Sequence, residues 1–122
     1  MPIFTVEVVG GTKGAVEPGQ AQTLADAVGR ALNSAPGQTW VRLLSLPRNQ
    51  YAENESPVDA GELPVFVTVL KRQLPSGMEL QTEVTALTRA IAQVIGRPAA
   101  CVHVEYAAAA LGRLAFGGTL VQ

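Results

Sequence analysis

The stretch "PVFVTVLK" (Pro64–Lys71) decides how this chain is read, because a second stretch of the same make, "MPIFTVEV" (Met1–Val8), opens it. Each places a proline ahead of a short β-branched and aromatic run. Such runs read as strands buried on at least one face. A proline, which lacks an N–H, does no harm at the first position of a strand. In this pairing Pro2 with Pro64 and Phe4 with Phe66 are identical, while Ile3 with Val65 and Val8 with Leu70 are similar.

The segments that follow each strand repeat as well. Ile3 to Val9 ends at Gly10-Gly11, and a loop runs through Gly14. Pro18 suits a first helical turn, and Ala21, Leu24, Ala25, Val28 and Leu32 recur at helical spacing until Ala35-Pro36-Gly37 stops the pattern. Thr39 to Leu46 (TWVRLLSL) is a second strand, followed by a polar, turn-rich loop from Pro47 to Gly61. The second copy has a strand from Leu63 to Leu70 and a turn from Gln73 to Gly77. Ser76 and Glu79 are spaced as a capping box, opening a helix whose stripe is Leu80, Val84, Leu87, Ile91, Val94 and Ile95. Gly96 and Pro98 end it. Ala100 to Tyr106 (ACVHVEY) is the fourth strand, and Leu111 to Gln122 (LGRLAFGGTLVQ) a small ribbon around Gly117-Gly118.

The chain therefore reads as one domain, 1–122, made of two consecutive βαβ pseudo-repeats, 1–61 and 62–122. The expected class is α+β: a four-stranded mixed sheet with both helices on one face, because each crossover is right-handed. The strands are apolar at odd and even positions alike, so the second sheet face is expected to be buried too. Self-association would cover it.

Composition narrows the partners. With 122 residues and 48% hydrophobic content the chain can bury a core without metals or disulfides. Nine Lys plus Arg against ten Asp plus Glu give a net charge of −1, which offers no basic field for nucleic acid or an anionic membrane. Cys101 and His103 are single, so no disulfide and no Cys/His zinc site can form within one chain, and a reducing cytoplasm fits. No signal sequence or membrane span is evident, so a soluble chain is expected. "GGTKG" (Gly10–Gly14) follows a strand but lacks both the dinucleotide spacing and the P-loop pattern.

The chemistry centres on Pro2. A small second residue normally allows the start methionine to be removed, which would leave a secondary amine as the terminus. Such an amine titrates near 8, and apolar surroundings or a nearby cation bring it toward neutral. That is the range of a general base. The plainer reading is that Pro2 only starts an edge strand.

Here the sequence resembles the tautomerase superfamily, whose members are built from one or two βαβ units and use an amino-terminal proline as base. "PAACVHVEYAAAALGRLAFGG" (Pro98–Gly118) is similar, without gaps, to the end of a single-unit 4-oxalocrotonate tautomerase chain. Pro98, the alternation around Val102 and Val104, and Gly117-Gly118 carry the match. The resemblance implies catalytic roles for Pro2, Arg42 in "WVRLL" and Arg72, the arginines holding or polarising a carboxylate substrate. It implies substrate contacts from Lys71, His103 (which takes the place of Arg42 in the second half), Tyr106, Arg113, Leu114 and Phe116. The partner arginine expected at position 74 is Leu74, and the wall position usually aromatic is Leu114. A homotrimer is implied, with a small-molecule carboxylate as substrate and neither cofactor nor metal.

Among reactions, keto–enol tautomerisation of a 2-hydroxy-dienoate or arylpyruvate needs the least equipment. Decarboxylase and dehalogenase (hydratase-type) relatives add an aspartate, where this chain has Gly37 to Trp40, or a helix histidine, where it has Val28. The rival outside the superfamily is a non-catalytic ferredoxin-like binding module, since βαββαβ is also the order of that fold. Arg48 and Tyr51 read either as a lid or as plain exposed loop.

Overall fold

The computed structural model describes residues 2–10, 18–58 and 63–122. Met1, the loop through Gly14 with most of "GGTKG", and the end of the central loop at Gly61 lie outside the described residues. The elements run β1 (Ile3–Val9), α1 (Gln20–Ala31), β2 (Trp40–Leu46), β3 (Val65–Leu70), α2 (Met78–Ile95), β4 (Val102–Tyr106), β5 (Ala115–Phe116) and β6 (Thr119–Leu120). The main sheet has the order β2-β1-β3-β4, and β5 pairs with β6 in a separate ribbon. β1 is parallel to β2, β3 is parallel to β4, and the two units meet along the antiparallel pair β1–β3. Each βαβ unit keeps its own strands adjacent. That excludes the ferredoxin-like alternative, whose βαβ is split by an intervening strand.

Alternation along the strands sorts the side chains. Phe4, Val6 and Val8 on β1 and Val65, Val67 and Val69 on β3 are buried, and they form one core with Leu24 and Val28 of α1 and Leu87, Ile91 and Ala92 of α2. Both helices thus cover the same sheet face. The other face carries Ile3, Thr5 and Glu7 on β1, Trp40, Arg42 and Leu44 on β2, Phe66, Thr68 and Leu70 on β3, and His103 and Glu105 on β4. Within one chain this face is open, with Trp40 51% and Leu44 49% exposed.

Each half of the chain forms a βαβ unit, but the pairing of Phe4 with Phe66 is one residue out of register. Phe4 is fully buried against the helices, whereas Phe66 is on the open face. Side chains alternate with period two, so a one-residue slip sends every side chain to the wrong face. The structural counterparts of Phe4, Val6 and Val8 are the odd-numbered valines of β3, and Pro64 is not the counterpart of Pro2. Arg42 and His103 do share the open face, each on the edge strand of its own unit.

Several boundaries move for local reasons. α1 starts at Gln20 behind Gly19, whose φ is 81°, so Pro18 belongs to the preceding turn rather than the helix. It ends when Asn33 takes a left-handed conformation (φ 52°), with Ser34 N–H donating to the Gly29 carbonyl at 2.8 Å and Asn33 N–H to that of Arg30 at 3.1 Å. That is a Schellman-type stop. Ala21 is exposed rather than buried. At α2 the N-cap is Gly77 with no side-chain bond, so Ser76 and Glu79 form no capping box. β4 begins at Val102 after a 3₁₀ turn over Ala99–Cys101, so Cys101 precedes the strand and does not share its alternation with His103. Among the described residues no helix is long and apolar enough to cross a membrane.

Arg97 fixes the far end of the sheet. Its Nη1 donates to the Leu63 carbonyl at 2.7 Å and its Nη2 to the Val9 carbonyl at 2.9 Å. One guanidinium therefore ties the end of β1 to the approach to β3. Gly10, which follows β1, has φ 63°, and a Cβ there would lie 2.6 Å from Leu63 Cδ1. The chain turns away between Leu46, whose carbonyl accepts from Gly10 N–H at 2.8 Å, and Leu63.

Candidate active site

β1 and β2 start, and β3 and β4 finish, at the same end of the sheet. Pro2 stands there. Its carbonyl accepts the Trp40 N–H at 3.0 Å, so the proline is fastened to the start of β2, and it is half-buried. The tail crosses this end of the sheet. Ala107 N–H donates to the Val69 carbonyl at 2.9 Å, Ala110 to that of Lys71 at 2.8 Å, and Leu111 to that of Arg72 at 3.2 Å. The ribbon then brings Phe116 edge-on to Trp40, ring centres 5.1 Å apart. Leu114, half-buried, is held by Val121 N–H on its carbonyl at 2.8 Å. Starting beside β4 and ending against β2, the tail passes the end of the sheet that carries Pro2 and adds apolar surface there.

The cations divide into two groups. Lys71 Nζ is 2.6 Å from Glu83 Oε1, in a pair whose side chains are 19% and 13% exposed. Tyr106 Oη donates to Glu83 Oε2 at 2.7 Å. Burial first, and then the bond to Glu83, push the Tyr106 hydroxyl well above the ordinary tyrosine range. Lys71 and Tyr106 are therefore both committed to one carboxylate on α2. Arg72, exposed, donates through Nε to the Gln122 carbonyl at 2.5 Å, which ties it to the tail. Arg113 is exposed in the tail itself.

Arg42 and His103 lie elsewhere. Arg42 projects from the open face of β2 and donates to Thr5 Oγ1 at 2.9 Å, and His103 packs against Phe66 at 5.8 Å between ring centres. Arg42 is level with Thr5, and His103 with Phe66 and Glu7, both inward of the end that carries Pro2. Tyr51 also belongs to the open face: it donates to Glu53 at 2.6 Å and lies 5.9 Å from the Phe66 ring, and Arg48 donates to the Val58 carbonyl. Phe66 is level with Glu7, near the far end of β1, so this loop does not lid Pro2.

Two residues escaped the sequence reading. Trp40 was visible as the lone tryptophan at a strand start, while Glu83 is a single acid beside the buried stripe of α2. A groove of about 640 Å³ runs along α1 and the edge of β2, lined by Ala21, Asp26, Gly29, Arg30, Thr39 and Trp40 among others. A smaller cleft of about 440 Å³ separates the end of α1 from the start of α2, with Leu32, Met78, Thr82 and Glu83 among its walls. Pro2 lines neither. Among the described residues no group of three His, Cys, Asp or Glu is placed to hold a metal ion.

No protein-family profile matches the sequence, and no curated protein does. Solved structures match over nearly the whole chain. Pt0534 inactivated by 2-oxo-3-pentynoate aligns with a TM-score of 0.74 at 16% identity, over 98% of this chain and 94% of that one. The macrophage migration inhibitory factor of Trichinella spiralis aligns at 0.72 and 14% identity, over 97% and 98%. A fused 4-oxalocrotonate tautomerase solved as a symmetric trimer aligns at 0.62 and 17% identity, over 98% and 94%. At these identities the likeness is one of fold.

Proposed function

We propose that this chain, whose fold is that of the tautomerase superfamily, is a keto–enol tautomerase of a small 2-hydroxy-dienoate or arylpyruvate-type carboxylate, working as a homotrimer with Pro2 as general base. The observation that carries the reading is the place of Pro2: half-buried at the start of a central strand, fastened to Trp40, at the end of the sheet crossed by the tail. With Met1 removed, the amine takes the proton from the enol oxygen, the electron pair closes the carbonyl, and the resulting ammonium returns the proton to carbon. Arg72, at the same end of the sheet, meets the substrate carboxylate when it leaves Gln122. Arg42 faces away from its own Pro2, so in the trimer it acts from a neighbouring subunit, stabilising charge that develops on oxygen. His103, Arg113, Leu114 and Phe116 contribute wall and polar contacts from the open face and the tail.

The test is ketonisation of phenylenolpyruvate and 2-hydroxymuconate by protein whose intact mass shows the loss of Met1. Pro2→Ala is expected to lower kcat/KM on the order of 10²-fold, the usual scale of a positioned proton-transfer group. Equal, background-level rates for both proteins would overturn the reading.

A further inference from the structure

We infer that Glu83 is a positioning residue of the Pro2 centre, holding the Lys71 ammonium on the same side of the sheet as the amine. The inference rests on Pro2 being the free amino terminus that the proposed function requires. Ile3 pairs with Leu70 in the antiparallel ladder, so the next step sets Pro2 opposite Lys71, with Cα atoms about 5 Å apart. Both side chains point to the helix-covered face, because Phe4 and Val69, two residues inward, do. A lysine stem there, left to itself, would carry its charge out to water. Glu83 prevents that by binding Nζ at 2.6 Å, and Tyr106 Oη occupies its second oxygen at 2.7 Å, which fixes the carboxylate. The three groups form a closed cluster spanning β3, β4 and α2.

The consequence is electrostatic. Glu83 also binds the Tyr106 hydroxyl of β4, on the side of β3 away from β1, so the Lys71 ammonium lies between its carboxylate and the Pro2 end of β1. The ammonium therefore outweighs the carboxylate at the proline nitrogen and favours the neutral, basic form. The other charged groups at this end are Arg72 after β3, Glu79 on α2, Arg30 in the last turn of α1 and Arg113 in the tail, all exposed. None of them carries an ion pair to the cluster.

The sign of one shift separates positioning from plain charge. Glu83→Leu removes a negative charge and, among the described residues, the one acceptor bound to Nζ. If the carboxylate acted only through its charge, the amine pKa would fall. If it holds Lys71 in place, the ammonium swings to water and the amine pKa rises, by roughly half a unit to one unit for a unit charge withdrawn from a few ångströms. Lys71→Met is expected to raise it at least as far. The readout is the ¹⁵N-proline chemical shift titrated by NMR in full-length, Met1-free protein, with thermal unfolding to confirm folding. It needs no turnover, so an amine that titrates as expected in an inactive protein would sink the tautomerase reading and leave this one standing. A fall in Glu83→Leu, or no shift in Lys71→Met, overturns the inference, and retention of Met1 ends both.

Discussion

Replacing Arg97 by Met is expected to loosen the sheet at the end away from Pro2. Its two nitrogens bond the Val9 and Leu63 carbonyls at 2.9 and 2.7 Å, and the side chain is half-buried. Hydrogen bonds from a charged donor contribute about 1.5–3 kcal/mol each, and partial exposure argues for the lower half of that range. Methionine keeps the apolar stem but orphans both carbonyls, so the expected loss is about 3–4.5 kcal/mol. For a chain of 122 residues the unfolding entropy near the midpoint is about 0.25 kcal/mol/K. The loss then lowers Tm by roughly 12–18 °C. Differential scanning calorimetry at one fixed protein concentration is the assay, because subunit association would otherwise shift Tm by mass action. Arg97→Lys, whose single ammonium replaces a two-pronged fork, is expected to recover about half the loss. A drop below about 3 °C in Arg97→Met would refute the view that this side chain joins the two units.

Tyr106 makes stability fall at alkaline pH. Its folded-state pKa is raised by burial and by Glu83, so its contribution is fully present below the ordinary tyrosine value of about 10 and is lost as pH climbs toward the folded value. Urea midpoints at pH 9 and pH 11 are expected to diverge in the wild type and to converge in Tyr106→Phe. Tyr51, raised chiefly by its bond to Glu53 in the exposed loop, serves as the control, and Tyr51→Phe is expected to leave most of the divergence in place. Leu44→Asp places a charge in the open sheet face, where Leu44 is 49% exposed in the single chain. Light scattering is expected to show a trimer for the wild type and a smaller species for the variant; a monomeric wild type would refute self-association through this face.

The strands and helices were legible because their residues carry short-range signals. Ile3 to Val9 and Val65 to Leu70 are β-branched runs, and Leu24 with Val28 or Leu87 with Ile91 repeat at helical spacing. The register of the repeat was not legible. Letters such as Phe4 and Phe66 match in a linear comparison, and only the burial of one and the exposure of the other show that they belong to different faces. The false capping box has the same origin. Ser76 and Glu79 have the right spacing, but the backbone of Gly77 (φ 58°, ψ −127°) takes the cap position and moves both residues one place off. The ribbon around Gly117-Gly118 was legible as a turn, and it lies at the Pro2 end of the sheet, with Phe116 against Trp40. The carboxylate of the candidate site was not legible, because Glu83 meets Lys71 and Tyr106 only once α2 lies across β3 and β4.

The division of cations between the two faces bears on how such a site is completed. Lys71 follows β3 at the end of the sheet that carries Pro2, and it is neutralised as a pair by Glu83. The pair can bias an amine nearby, but it offers little net charge to a carboxylate approaching from solvent. Arg72 has one donor engaged by Gln122 and remains exposed, so it can exchange partners at little cost. Arg42 has its guanidinium on the open face, held to Thr5 in the same cross-strand row as Thr68 and Glu105. A substrate at Pro2 would lie at the end of the sheet, whereas the guanidinium of Arg42 is held on its open face, level with Thr5. Only a second chain laid against the open face, or one whose Arg42 reaches past the tail, can bring an arginine of that kind to the proline. An Arg42→Ala subunit mixed with a Pro2→Ala subunit is therefore expected to regain activity that neither variant has alone, because some mixed trimers pair an intact proline with an intact neighbouring arginine. Failure of any mixture to exceed the sum of the two separate rates, with subunit exchange confirmed by native mass spectrometry, would place Arg42 outside the site.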